Sequence, residues 1–148
     1  MYERVWTVRF SDADMFGIAF YPQIVDAIHE TSDMFMEEIG YPYWAIAGDG
    51  EGNSSADGDG DVDAVAFGFP LVEFNVEFER PVEAGDEVTI ELTPDIGTRS
   101  LRFDFVGRRD GAVTFRSYEQ RACVAKGADS AMEIPDDVRA ALQEYAEE

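Results

Sequence analysis

The sequence is poor in positive charge. Its 148 residues contain 11 lysines and arginines against 32 aspartates and glutamates, a formal net charge of −21, and Lys126 is the only lysine. Nucleic acids and anionic membranes are polyanions, so we expect neither as a partner. The acidity is spread along the whole chain. High acidity with few lysines is typical of proteins from halophiles. Their cytoplasm contains molar salt, which screens repulsion between surface charges beyond a few ångströms. We therefore expect a halophilic source.

Cysteine, histidine and long hydrophobic runs are also scarce. One cysteine, Cys123, allows no intramolecular disulfide, and with the single histidine, His29, it makes no zinc-binding cluster. No stretch approaches the roughly 20 apolar residues of a membrane span, and the N-terminus lacks the pattern of a secretory signal. We therefore expect one cytoplasmic domain over residues 1–148, without a metal or cofactor, in which Cys123 is a small buried hydrophobe.

The apolar pattern predicts one strand, a long helix, four more strands and a short helix. A β-favouring run at 5–10 precedes a helical run from Pro22 to Ile39, in which apolar residues recur every three or four positions. Later runs alternate apolar and polar residues, as half-buried strands do; they lie at 72–79, 88–93, 101–105 and 113–124. A C-terminal helix begins near Glu133. This order predicts an α+β domain in which a five-stranded antiparallel sheet packs on one central helix.

The stretch from about 48 to 63 consists mostly of Gly, Asp, Ser, Asn and Glu. Such a composition predicts a flexible acidic loop. The run Asp57–Asp61 superficially resembles a calcium loop. An EF-hand that began at Asp57 would need a glutamate at its twelfth position, where Gly68 stands, so we do not expect calcium.

Two carboxylates, Asp12 and Asp14, lie between the first strand and the long helix. Gly17 breaks the chain after them, and an apolar-aromatic segment leads to Pro22, which suits a first helical turn. A carboxylate beside the free N–H groups of a helix N-terminus can attack a carbonyl, or activate water, while those groups polarise the carbonyl. The residues alone leave open whether either aspartate does so or only caps the following turn.

This segment and the order of elements resemble the 4-hydroxybenzoyl-CoA thioesterase family, whose domains have the hotdog fold, a sheet wrapped around a central helix. The segment reads Phe10-Ser11-Asp12-Ala13-Asp14-Met15-Phe16-Gly17-Ile18-Ala19-Phe20-Tyr21-Pro22. Four further segments resemble the family: Gly40-Tyr41-Pro42-Tyr43-Trp44, Phe67-Gly68-Phe69-Pro70, Thr98-Arg99-Ser100 and Ile134-Pro135-Asp136. The resemblance implies hydrolysis of an acyl-CoA thioester by a homodimer or homotetramer.

The resemblance also implies roles for particular residues. It aligns Asp14 with the catalytic aspartate, as nucleophile or general base, and it makes the N–H groups from Gly17 to Tyr21 the donors to the thioester carbonyl. Arg99 would hold the phosphates of CoA, and Trp44 favours an aromatic acyl group such as 4-hydroxybenzoyl. The residues implied as substrate contacts are Tyr43, Trp44, Gly68, Thr98, Arg99 and Ser100.

Several alternatives remain open. Glu30 could be the catalytic carboxylate, because in some hotdog thioesterases the catalytic carboxylate lies on the central helix. His29 could serve as the base of a hotdog dehydratase, although a lone histidine on a helix is more often solvated or packed. The arginines could pair with surface carboxylates instead of CoA. A chain of this fold could also bind acyl-CoA without catalysis, or act on an acyl carrier protein, whose acidic surface this chain would repel.

Overall fold

A computed structural model describes residues 1–43, 67–127 and 130–146. Its strands are β1 (Tyr2–Thr7), β2 (Phe67–Gly68), β3 (Leu71–Phe78), β4 (Glu87–Ile96), β5 (Ser100–Arg109), β6 (Ala112–Ala122) and β7 (Val124–Ala125). Its helices are α1 (Tyr21–Glu38) and α2 (Asp136–Gln143). Trp44, the predicted acidic loop at 48–63 and the calcium-like run within it lie outside the described residues.

The main sheet has five strands in the order β1-β4-β5-β6-β3, and every neighbouring pair is antiparallel. The short strands β2 and β7 form a separate pair. Alternate residues of β4 and β5 point inward and are fully buried, among them Ile90, Leu92 and Phe103. The four alternating runs are thus strands, as predicted, and the long helix covers their apolar face. This arrangement confirms the predicted α+β hotdog architecture.

The helix α1 is held against the sheet by the apolar face that its sequence predicts. Ile24, Ile28 and Phe35 are buried, and Phe35 packs edge-on against the ring of Phe103 with the centroids 5.5 Å apart. Full burial of a side chain of this size stabilises a fold by roughly 1.5–3 kcal/mol. The same contacts fix where the N-terminus of α1 meets the preceding loop.

The structure differs from the sequence-based expectations at several points, of which three follow. The first strand ends at Thr7 rather than at residue 10, because the chain turns into a 3-10 helix at Phe10–Asp12. The pairing of β3 with β6 shifts register between Leu71 and Glu73, so Val72, predicted to face inward, is 65% exposed. The C-terminal helix begins at Asp136, later than predicted.

Two further expectations, which came from composition, concern Cys123 and membrane-spanning segments. Cys123 is fully buried, as predicted, and this burial raises the pKa of its thiol. Within residues 1–43, 67–127 and 130–146, no helix is both long and apolar enough to cross a membrane.

Candidate active site

Asp14 opens a tight turn just before α1. Its Oδ1 atom accepts hydrogen bonds from the backbone N–H groups of Phe16 (2.8 Å) and Ile18 (3.3 Å). Gly17 closes the turn with φ of +78°, a left-handed conformation that favours glycine, and donates its N–H to the Asp14 carbonyl. The other carboxylate oxygen, Oδ2, has no hydrogen-bond partner among the described residues. The turn therefore orients Asp14 and leaves one of its oxygens available.

Asp12 has a different environment from Asp14. Its carboxylate accepts the backbone N–H of Arg9 at 2.9 Å, which closes the 3-10 helix. Its carbonyl accepts the N–H of Phe20. Asp12 therefore stabilises the loop, in keeping with the alternative that one of the two aspartates only caps a turn.

The resemblance implies that backbone N–H groups from Gly17 to Tyr21 contact the substrate, and one of these five groups has no acceptor among the described residues. Four of the five N–H groups donate within the protein: Gly17 and Ile18 to Asp14, Ala19 to the Val82 carbonyl and Phe20 to the Asp12 carbonyl. The first N–H groups of a helix have no intrahelical partner. Because Pro22 has no N–H and α1 has no side-chain N-cap bond, the donor left at the helix start is Tyr21.

The loop is fixed to the segment that follows β3. Ala19 donates its N–H to Val82, and Ala84 donates to the Gly17 carbonyl. A cavity of about 290 Å³ lies between this loop, the first turn of α1 and the end of β3. Its lining residues include Ile18, Tyr21, Phe78 and Arg80. The walls are mostly apolar and also include Arg80 and the Glu79 carboxylate, which pairs with Arg116, so the cavity suits a mostly apolar ligand group.

Large apolar side chains around the loop face outward. Five of them form what we call the loop patch: Phe10, Met15, Phe16, Phe20 and Tyr21. Phe10 is 90% exposed and Met15 is 88% exposed. An exposed apolar patch of this kind marks a surface that another molecule covers.

A second cavity, of about 430 Å³, lies farther along the groove between α1 and β3. Its lining is Pro22, Val25, Asp26, His29, Leu71, Phe74 and Glu119. The four helix residues follow the i, i+3, i+4, i+7 spacing of one helix face. The groove is therefore mostly apolar here and has an ionisable wall, formed by His29 and Glu119 together with Asp26.

Glu119 and Arg121 form a buried ion pair on the inner face of β6. Glu119 is 1% exposed, and its Oε1 accepts hydrogen bonds from Nε (3.1 Å) and Nη2 (2.8 Å) of Arg121. Arg121 also donates to the Phe69 carbonyl at 2.8 Å. Such a pair is stable only when its remaining hydrogen-bonding groups are satisfied. Here a main-chain carbonyl and His29 complete it.

His29 stands on α1 above this ion pair. Its Nδ1 lies 3.6 Å from Glu119 Oε2 and 3.4 Å from Arg121 Nη2, and its Nε2 lies 3.8 Å from Asp33 Oδ1. The Glu119 carboxylate beside Nδ1 is the main cause that raises the pKa of His29; Asp33 adds to it, and partial burial opposes it. Within the described residues His29 has no contact with Asp14, so the predicted dehydratase alternative lacks the pairing it needs.

Tyr43, an expected substrate contact, packs against the same cluster. Its hydroxyl shares a 3.1 Å hydrogen bond with Ser32, and the Arg121 guanidinium lies 4.8 Å from its ring centroid. Its ring is parallel to that of His29, with the centroids 6.5 Å apart. Burial raises the pKa of the Tyr43 hydroxyl. Tyr43 thus packs beside His29 and Arg121.

The remaining expected contacts lie at the other end of the sheet. Thr98 and Arg99 form the turn between β4 and β5, and Ser100 begins β5. At about 3.3 Å per residue, the ten residues of β5 separate them from the Asp14 loop by roughly 30 Å. Gly68 lies in β2, also away from the loop. One copy of the chain therefore does not bring these residues to Asp14.

The arginines divide into paired and unpaired groups. Six of the ten contact a carboxylate: Arg4, Arg102, Arg108, Arg109, Arg116 and Arg121. For these, the ion-pair alternative holds. Arg99 and Arg80 have no carboxylate partner among the described residues, and Arg80 donates only to the Val113 carbonyl at 2.7 Å. Glu30, the rival catalytic carboxylate, pairs with Arg4 of β1, on the side of α1 away from the groove.

Sequence reasoning missed Glu119 and Arg80 as site residues. A signal for Glu119 was present, because strand alternation from Phe115 through Ser117 to Glu119 and Arg121 puts two charged residues on the apolar face. No comparable signal exists for Arg80. Its place beside the Asp14 loop depends on the contact between Ala19 and Val82, which are far apart in sequence.

Comparisons with known proteins agree with this architecture. The family described as the thioesterase-like superfamily matches residues 8–142. A 1,4-dihydroxy-2-naphthoyl-CoA hydrolase from Nostoc punctiforme is 24% identical over 133 residues, covering 89% of this chain and 80% of that protein.

Solved structures give the same result. The structure of a gentisyl-coenzyme A thioesterase is 25% identical with a TM-score of 0.71, covering 95% of this chain and 99% of that one. A 1,4-dihydroxy-2-naphthoyl-CoA thioesterase from Synechocystis is 18% identical with a TM-score of 0.75, covering 95% and 94%. With the match over residues 8–142, the chain belongs to the thioesterase-like superfamily of hotdog-fold thioester hydrolases.

Proposed function

We propose that this protein hydrolyses an aromatic acyl-CoA to the free acid and CoA, with Asp14 as the reacting carboxylate. The observation that supports this most is the asymmetry of the Asp14 side chain. Oδ1 is held by the Phe16 and Ile18 N–H groups, while Oδ2 has no partner among the described residues. The same loop leads directly into α1, and within this described part of the chain its first N–H group, on Tyr21, has no acceptor.

The chemistry follows from these two groups. The Tyr21 N–H and the positive end of the α1 dipole polarise the thioester carbonyl. In one route Oδ2 of Asp14 attacks the carbonyl carbon, the C–S bond breaks, CoA leaves as its thiolate, and water then hydrolyses the mixed anhydride to the free acid and restores Asp14. In the other route Oδ2 takes a proton from a water that attacks the carbonyl carbon, and the C–S bond breaks with CoA leaving as its thiolate. A thiol ionises near pH 8.5, so this leaving group needs no strong acid. One carboxylate and one donor therefore suffice.

We infer that the complete site needs two copies of the chain. The edge strand β3 exposes Leu71, Val72 and Phe78, and an apolar strand edge favours pairing with another strand. Two copies related by a twofold axis pair this edge antiparallel. The Phe78 end of one copy, next to its Asp14 loop, then lies beside the Leu71 end of the other.

In this proposed dimer, residues that are far from Asp14 within one copy would come close to the Asp14 of the other copy. The second copy would cover part of the loop patch, and its groove around His29 would lie beside the first copy's Asp14. Its Thr98, Arg99 and Ser100 would be closer to the first copy's loop than the 30 Å found within one chain. We propose that Arg99 of one copy and Arg80 of the other bind the phosphates of CoA, since neither has a carboxylate partner in the described part of the chain.

Two observations support the proposal that the acyl group is aromatic. The larger cavity is lined by Val25, Leu71 and Phe74, which suits a flat apolar ring. The relatives described above are named for 1,4-dihydroxy-2-naphthoyl-CoA and gentisyl-CoA. 4-Hydroxybenzoyl-CoA, the example that the family resemblance suggests, is likewise a CoA thioester of a hydroxylated aromatic acid.

A hydrolysis assay in high KCl tests the function. Benzoyl-, 4-hydroxybenzoyl-, 2,5-dihydroxybenzoyl-, 1,4-dihydroxy-2-naphthoyl- and hexanoyl-CoA are incubated with the enzyme, and free thiol is measured. We expect release from at least one aromatic substrate, with Asp14→Asn lowering kcat about 10²–10⁴-fold and Asp12→Asn serving as the matched control. No release above the Asp14→Asn background for any substrate would end the proposal.

A mixing experiment tests the two-copy site. Asp14→Asn and Arg99→Ala proteins are each assayed alone and after subunit exchange. If one site takes Asp14 from one copy and Arg99 from the other, some mixed dimers have one intact site, and activity reappears on mixing. Activity that never exceeds the mean of the two variants, despite exchange shown by mass-tagged subunits, contradicts the arrangement.

A further inference from the structure

The groove between α1 and β3 contains a polar group that the hydrolytic step does not use. His29 lines the 430 Å³ cavity together with Val25, Leu71 and Phe74. It is the only histidine in the chain. A polar side chain in a mostly apolar ligand cavity fixes the orientation of the ligand and its identity.

The imidazole is held in place from one side. Nδ1 faces the buried pair, 3.6 Å from Glu119 Oε2 and 3.4 Å from Arg121 Nη2. The Tyr43 ring is parallel to it within 5°. Glu119 and Arg121 are fixed in turn by their own hydrogen bonds. The ring orientation is therefore set by groups that are themselves nearly fully buried.

The other ring nitrogen has spare hydrogen-bonding capacity. Nε2 lies 3.8 Å from Asp33 Oδ1, which is beyond hydrogen-bond distance. An oxygen atom that accepts from Nε2 at about 2.8 Å can at the same time lie within hydrogen-bond distance of Asp33 Oδ1. A hydroxyl matches this gap in chemistry as well, since its oxygen accepts from Nε2–H while its proton is donated to the Asp33 carboxylate.

We propose that His29 makes the enzyme selective for acyl groups that carry a hydroxyl, by donating a hydrogen bond from Nε2 to that hydroxyl. The proposal rests on the proposed aromatic acyl-CoA hydrolysis and adds a specificity residue to it. Glu119 also lines the cavity, and in this proposal it is a positioning residue, because its Oε2 lies 3.6 Å from Nδ1 of the imidazole. A site built to bond a hydroxyl discriminates strongly against the analogue that lacks it, whose binding leaves polar groups unpaired.

Binding of non-hydrolysable thioethers tests the proposal without depending on catalysis. Dissociation constants of 4-hydroxyphenacyl-CoA and 2,5-dihydroxyphenacyl-CoA are compared with that of phenacyl-CoA by calorimetry. A hydrogen bond contributes about 0.5–1.5 kcal/mol net, so we expect at least one hydroxylated ligand to bind about 2- to 12-fold more tightly. His29→Phe should reduce this ratio to near one, and His29→Gln, which retains an N–H donor, should restore part of it.

Three further measurements complete the test. Because the chain has one histidine, the ¹⁵N signals of its imidazole need no assignment, and Nε2 should shift with the hydroxylated ligand more than with phenacyl-CoA. Glu37→Gln, on an exposed turn of the same helix, should keep the wild-type ratio, and melting temperatures check that each variant is folded. An unchanged ratio in His29→Phe, or a wild-type ratio of one for both ligands, overturns the proposal. Hydrolysis assays report separately on the proposed function.

Discussion

Asp14 and Glu119 are two carboxylates beside one groove in opposite environments. Asp14 is exposed and has one oxygen held by backbone N–H groups and the other free. Glu119 is nearly fully buried and has one oxygen bound by Arg121 and the other beside His29. A carboxylate oxygen already engaged by a cation is a weaker nucleophile and base than one that is not. Under the proposed function Asp14 therefore supplies the chemistry and Glu119 the support, and four predictions test this assignment.

The largest expected effect is on activity. Asp14→Asn should lower kcat about 10²–10⁴-fold, because the amide retains the Oδ1 acceptor of the turn but cannot attack or take a proton. Its melting temperature should change little for the same reason. Glu30→Gln is the matched control on the rival carboxylate, and it should keep activity near the wild-type value. Loss of activity in Glu30→Gln with a functional Asp14→Asn would reverse the assignment.

The next effect is on stability. Glu119→Ala leaves the buried Arg121 charge without its partner, and breaking a buried pair in this way costs about 3–5 kcal/mol. For a chain of this length this lowers the melting temperature by about 10 °C. Thermal unfolding followed by circular dichroism measures it.

Two controls accompany this measurement. Glu79→Ala, which breaks the exposed pair with Arg116, should cost at most about 1 kcal/mol. The double variant Glu119→Leu/Arg121→Met should recover most of the loss, because it leaves no unpaired charge. Equal losses for Glu119→Ala and Glu79→Ala would contradict the contrast between the buried and exposed pairs.

Salt should distinguish the two environments as well. Mobile ions screen repulsion between exposed carboxylates but reach buried ones much less. We expect the melting temperature of the wild type to rise between about 0.1 and 3 M KCl. Over this range the Debye length falls from about 10 Å to about 3 Å or less, so repulsion between surface carboxylates becomes almost fully screened. The loss caused by Glu119→Ala should be similar at both concentrations. A wild-type melting temperature that does not change with salt would refute the halophilic expectation.

The smallest effect concerns pH. The pKa of His29 is raised in the folded state, chiefly by Glu119, so its contribution to stability is fully present below its ordinary value of 6.5. That contribution is lost as pH rises through the raised value. The melting-temperature gap between wild type and His29→Gln should therefore be larger at pH 6 than at pH 9. Asp33 and Arg121 also face the ring. Because the Asp33 carboxylate raises the pKa of His29, Asp33→Asn should make the melting-temperature gap at pH 6 smaller. A gap that grows with pH contradicts the prediction.

Local patterns in the sequence predict most of the fold. The spacing of Ile24, Ile28 and Phe35 predicts α1, and alternation predicts β3 to β6, because these signals depend only on neighbouring residues. The exposed position of Val72 could not be predicted, since it follows from a register shift against a distant strand. The 3-10 helix at Phe10–Asp12 depends on a side-chain bond between Asp12 and Arg9, which periodicity does not encode.

The candidate site is less predictable for the same reason. The family resemblance favours Asp14 over Asp12, and this choice stays a prediction. Of the N–H groups from Gly17 to Tyr21, all described, those of Ala19 and Phe20 are bonded to Val82 and Asp12, contacts that the sequence does not reveal. The His29–Glu119 contact joins positions 90 residues apart, and only the packing of α1 on β6 creates it.

Pro22 has no N–H, so in the proposed site the thioester carbonyl contacts one main-chain donor at the start of α1 rather than two. A carbonyl held at a single point can pivot about it, and its angle to Asp14 is then decided by how the acyl group is seated elsewhere in the groove. Binding energy from the remote ring is thus converted into alignment of the reacting atoms. Poorly fitting acyl groups should consequently be recognised by slow turnover more than by weak binding.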